Sequence, residues 1–160
     1  MNAQNLLQTG LLLHMIGLAT IAGITLADYM TTRRFRMLYL KDKQKGADLM
    51  LATAKLPAIA GLGLLLQIIS GVMMLAATSG AFGQQQWFRI KMIIVILIIA
   101  GLIFLNRSLR KRLRIWVLDD VIHGNRTAQI SSLANKMGYV QLLLLAFFVL
   151  IFGLSTFRFN

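Results

Sequence analysis

Four uninterrupted apolar runs constrain this chain more than any other feature. They cover residues 11–27, 56–78, 88–105 and 139–156. Each is close to the ~20 residues that a helix needs to cross ~30 Å of hydrocarbon. The runs lack the period-two alternation of a barrel strand, so helices are expected. Hydrophobic residues make up 58% of the 160 and charged residues only 14%. A soluble fold of this length would have too little polar sequence to cover four such helices. The expected fold class is all-α: a four-helix transmembrane bundle, one integral membrane domain over residues 1–160, with helical cytoplasmic extensions.

The charges predict a direction. The formal net charge is +12. A basic chain can bind nucleic acid, but here the cations lie between apolar runs, so anionic lipid headgroups are the expected partner. The first connection carries Arg33, Arg34, Arg36, Lys41, Lys43 and Lys45, and the third carries Arg107, Arg110, Lys111, Arg112, Arg114, Arg126 and Lys136. The second, TSGAFGQQQW, has no charge. The positive-inside rule then places the first and third connections in the cytoplasm, with both termini periplasmic across a bacterial inner membrane. The first charged residue is Asp28, so the opening run lacks the positive n-region of a signal peptide and reads as a span.

The basic connections have their own pattern. In RSLRKRLRIWVLDD, Leu109, Leu113, Trp116 and Val117 recur at helical spacing, so the third span should run on past the membrane or bend along its surface. A break is expected at Gly124. Thr127 can then cap a further helix with Ile130, Leu133, Ala134 and Met137 on one face. KDKQKG, at 41–46, reads as a solvated turn. Gly63, Ser70 and Ala77 recur every seven residues in the second run and predict a close helix contact. Trp87, Phe88 and Tyr139 suit the membrane boundary.

Polar groups inside the runs are expensive, so each needs an account. His14 stands in LLLHMIGL; its imidazole can hydrogen-bond across the bundle or ligate a metal. Arg89 and Lys91 open the third run at the depth expected for His14, where they can snorkel to headgroups or hold an anionic group. Gln67, in the middle of the second run, needs an interhelical partner or a ligand carbonyl. Asp28 and Lys55 are expected to pair between neighbouring helices. Cysteine is absent, which excludes disulfides and thiolate chemistry. The sequence has no HExxH and no glycine-rich nucleotide loop.

LLLHMIGLATIAGITLADY, LPAIAGLGLLLQIISG and WFRIKMIIVILIIAGLIF together resemble the HemJ-type protoporphyrinogen oxidases and their relatives in the CopD-like superfamily of small polytopic membrane proteins. The resemblance matches a first-span histidine to His14 and a third-span lysine to Lys91. It implies a helical bundle that binds b-type haem and oxidises protoporphyrinogen. The HemJ group carries a further histidine late in the third span, where this chain has Ile103 to Asn106.

Two classes of function follow. In the first, the protein is a haem-associated redox membrane protein. His14 is then the metal ligand, Arg89, Lys91 and Gln67 join it in holding cofactor, and a quinone is a less favoured cofactor. In the second, it is a non-catalytic bundle that binds anionic lipid, a membrane protein partner or a second copy, or it is a small transport subunit. Whether it is an enzyme stays open at this point.

Overall fold

A computed structural model describes the backbone of residues 2–78 and 86–156 and the side chains of 2–78, 89–90 and 92–153. The uncharged connection at 79–85 and the side chains of Trp87 and Phe88 lie outside the described residues. Every described element is helical: α1 (Ala3–Lys41), α2 (Lys43–Ala52), α3 (Leu56–Ala77), α4 (Gln86–Ala100), a π-helical segment (Gly101–Asn106), α5 (Arg107–His123) and α6 (Thr127–Thr156). Four helical stretches are long and apolar enough to cross a membrane, so the all-α bundle expected from the sequence is present.

Apart from α3, which matches its run, the spanning helical stretches are longer than their apolar runs. α1 has 39 residues, and at 1.5 Å per residue its last fourteen project about 20 Å past the apolar run. Two pairings fix how the helices lie. α3 runs antiparallel to α1, with Gly10 opposite Met74 and Gly17 opposite Gln67 and Gly63. α6 also runs antiparallel to α1, because Gln141 bonds Asp28 and Thr32 while Asn135 bonds Arg36. The third span runs parallel to α1. The C-terminal part of α1, α2, α5 and the N-terminal part of α6 therefore gather at one end of the bundle, with most of the cations.

This arrangement makes two cores. Ile21, Ile94, Ile98, Leu144, Phe148 and Ile151 pack α1, α4 and α6 within the spanning part. Phe35, Tyr39, Leu113, Val117, Ile130 and Met137 anchor a second core in a headpiece at the basic end. The four positions expected on one face of a helix after Thr127 are all buried there. Leu113 and Val117 are buried and Leu109 and Trp116 pack against the same core, so the continuation of the third span is held by the headpiece. Gly124 ends α5 with a positive φ of 74°, the left-handed cap at which glycine avoids a Cβ clash.

Two expectations need correction. KDKQKG is not a solvated turn: only Asp42 breaks the helix, and its carboxylate caps α2 by accepting from the Lys45 N–H. That hydrogen bond, reinforced by the Lys45 ammonium, lowers the Asp42 pKa. Gly46 lets α2 fold back, since a Cβ there would stand 2.8 Å from the Tyr39 Cα. The helix expected after Gly124 begins at Thr127 and runs on unbroken through the fourth span to Thr156. Asp28 does not pair with Lys55; it pairs with Arg110 of α5, and Lys55 is exposed.

The π-helical segment explains how Arg110 gets there. The buried residues of the third span step through Ile94, Ile98 and Gly101, then jump five positions to Asn106. An α-helix, at 3.6 residues per turn, would bring Leu105 to that face instead. The wider π turn absorbs the additional residue and returns Asn106 and Arg110 to the bundle interior. Phe104 in this turn is 72% exposed. Deleting Phe104 is expected to convert the turn to α-helix while both buried sets keep their face. Thermal unfolding should change by no more than ~1 kcal/mol, whereas deleting Leu97 should disrupt the bundle. A collapse of both variants alike would refute this account of the register.

Candidate functional site

His14 sits on the α1–α3 seam. Its Nδ1 lies 2.9 Å from Ser70 Oγ and its Nε2 lies 2.7 Å from Gln67 Nε2. An amide nitrogen can only donate, so Nε2 accepts and Nδ1 carries the proton. Nδ1–H donates to Ser70, whose hydroxyl donates to the Gln67 carbonyl at 3.0 Å. The sequence singled out His14 and Gln67 separately; the antiparallel register brings them together. Ser70, which the seven-residue spacing marks as a packing position, is fully buried and completes the chain of hydrogen bonds.

The seam does not fit a haem as it is folded. Both ring nitrogens of His14 already hold protein groups. One turn along, a Cβ on Gly17 would meet the Gln67 side chain at 2.9 Å and the Gly63 carbonyl at 3.0 Å. A porphyrin has no room between helices in such contact. Arg89 is exposed on α4, whose packing is mainly against α6. The Lys91 side chain lies outside the described residues. The arrangement supports an interhelical clasp. Replacing His14 with leucine is expected to destabilise the protein by about 1 kcal/mol, the scale of hydrogen bonds between membrane helices. Thermal melts of His14→Leu, Gln67→Leu and the double variant should show non-additive losses. Strict additivity would dissolve the clasp.

A second polar group closes the bundle where the apolar runs end. The Asp28 carboxylate is buried and accepts from Arg110, from Gln141 at 2.7 Å and, more weakly, from Asn106 at 3.5 Å. It thereby joins α1, the third span and α6. Further out, Asp120 is fully buried in the headpiece. It accepts from the Tyr39 hydroxyl at 2.8 Å, the Thr127 hydroxyl at 3.0 Å and the Arg126 N–H, and pairs with the Lys43 ammonium at 2.9 Å. Burial alone would raise the Asp120 pKa, but these four donors override it and hold the carboxyl well below the usual range. Tyr39 moves the other way: burial, then its bond to the anion, raise its pKa above the ordinary phenol value.

Between α3 and the third span, at the same level as Asp28, lies a groove of about 660 Å³. Gly61, Leu64 and Leu102 are among its apolar lining, and Arg107, Lys111 and Arg114 line it as well. All three of those cations are exposed.

All five acidic residues lie at this end and engage donors within the protein. Asp28 and Asp120 hold the groups just described, Asp42 pairs with Lys45, Asp119 with Arg126 and His123, and Asp48 accepts from Gln44. Fourteen of the 17 lysines and arginines fall in 33–55 and 107–136. Arg33, Arg34, Lys41, Arg107, Lys111, Arg112, Arg114 and Lys136 are all exposed. The basic end therefore presents a strong excess of positive charge.

These features define a class: a four-span, all-α membrane bundle with a packed basic headpiece. No protein-family model, curated protein or solved structure matches the chain.

Proposed function

We propose that this protein is a non-catalytic membrane bundle whose basic end engages anionic lipid. The supporting observation is the fate of the carboxylates. Each of the five is engaged inside the protein, and the excess cations face outward where the apolar runs stop. Anionic headgroups attract a nearby lysine or arginine by about 1 kcal/mol each, so several such residues give a strong preference for that leaflet. By the positive-inside rule this end faces the cytoplasm and the opposite end the periplasm of a bacterial inner membrane. In this reading His14, Gln67 and Ser70 hold the helices together, and no haem is required.

The test is the composition of what the protein carries out of the membrane. After mild detergent extraction, anionic phospholipid should co-purify above its share of the bulk membrane, and high salt should reduce the excess. The visible spectrum should lack a haem band. Lipid in bulk proportions would overturn the lipid reading. A haem band that disappears in His14→Ala would restore the redox reading in its place.

A further inference from the structure

We infer that the groove between α3 and the third span holds a single anionic phospholipid, its phosphate among Arg107, Lys111 and Arg114 and one acyl chain along Gly61, Leu64 and Leu102. The inference rests on the proposal that the basic end faces an anionic leaflet, and it gives that contact a defined place.

The groove is amphipathic in the same sense as a lipid. The deeper part of its apolar lining lies within the spanning segments, while the cations, together with Met50, Leu51 and Ala54, lie outside the apolar runs at the basic end. A volume of about 660 Å³ is in the range of small-ligand sites, ~300–1,000 Å³. Pro57 in the first turn of α3 also borders it. No carboxylate borders the groove. Asp28 neutralises Arg110 from behind, leaving the other three cations for a ligand.

Asn106 and Arg110 also border the groove. Arg110 is tied to Asp28, and the Asn106 amide nitrogen is turned toward the same carboxylate, so both are held by the bundle and the ligand's charge falls to Arg107, Lys111 and Arg114. Selectivity therefore rests on charge. Phosphatidylglycerol carries a net negative charge; phosphatidylcholine carries none.

The experiment is a lipid titration of the full, delipidated chain in neutral detergent, followed by native mass spectrometry. With phosphatidylglycerol, one lipid should bind at least about tenfold more tightly than those that follow. Phosphatidylcholine should show no such first site. Glycerol phosphate, which offers the anion without the acyl chain, should fail to compete at equal concentration. Gly61→Leu is the decisive variant, because a Cβ there meets open space and so the side chain can fill the groove without displacing the helix. It should abolish the tight first site, while Gly71→Leu, equally open but away from the groove, should not. Lys111→Gln should weaken the first site about fivefold, the effect expected of one cation near a headgroup. Equal binding of phosphatidylcholine, full competition by glycerol phosphate, or indifference to Gly61→Leu would each overturn the inference. Enrichment of anionic lipid without a tight first site would overturn it and leave the broader proposal standing. Absence of both would overturn the two together.

Discussion

Replacing Asp28 with alanine is expected to destabilise the protein by about 3–5 kcal/mol, the largest loss for any single substitution outside the headpiece. The carboxylate accepts from three helical segments at once through Arg110, Asn106 and Gln141. Removing it leaves the Arg110 guanidinium, whose side chain is 17% exposed, without its counter-charge. The loss is that of an uncompensated buried cation and exceeds the worth of an ordinary hydrogen bond. The double replacement of Asp28 by leucine and Arg110 by methionine should therefore recover much of the stability. Lys55→Ala should do almost nothing, because Lys55 is exposed and Asp28 already has its partner. Thermal unfolding in detergent decides the matter. A double variant as unstable as Asp28→Ala would show that the carboxylate does more than balance Arg110.

The sequence showed the spans plainly and their polar connections poorly, for a physical reason. A long apolar run must be satisfied by its own helix in lipid, so its structure follows from local composition. Gly124 likewise ends α5 through a property of its own residue, the freedom to take a positive φ. Asp28 is different. Lys55 was a reasonable partner by position along the chain, but the choice of Arg110 depends on the π turn between Gly101 and Asn106. That run is apolar on every side, so its hydrophobic pattern carries no record of an additional residue in one turn. α2 was hidden in KDKQKG because its polar composition reads as a turn. What makes it a helix is the Asp42 cap and the contact of Gly46 with Tyr39, and the second of these is tertiary. At the candidate site, His14 and Gln67 stood out individually as polar groups in apolar runs. Their meeting depends on the antiparallel register of α1 and α3, which the close-packed Gly10, Gly17 and Gly63 hold. The groove was not legible, since it arises where α3 leans on α1 and the third span leans on α6.

In the headpiece, Asp120→Asn is expected to cost about 3 kcal/mol. The amide retains one acceptor oxygen but places an NH₂ among Lys43, Arg126 N–H, Thr127 and Tyr39, all of which donate. The wild-type protein should also lose headpiece stability in acid. The Asp120 carboxyl titrates lower in the folded state than in the unfolded one. Its stabilising effect is therefore complete above the unfolded value, ~3.9, and fades as the pH falls through the folded one. Tyr39 imposes the opposite limit. Its pKa is raised on folding, so its contribution is complete below the ordinary phenol value, ~10, and fades as the pH rises past it. Trp116 packs against this core and gives a fluorescence signal for its unfolding. Asp120→Asn should flatten the acid limb of the stability profile, and Tyr39→Phe should flatten the alkaline limb for a loss of only about 1 kcal/mol. Protease cleavage at 124–126, where Arg126 is tied to both Asp119 and Asp120, should accelerate in Asp120→Asn. An unchanged acid limb in that variant would remove Asp120 as the group that ties α1, α2 and α6 to the end of α5.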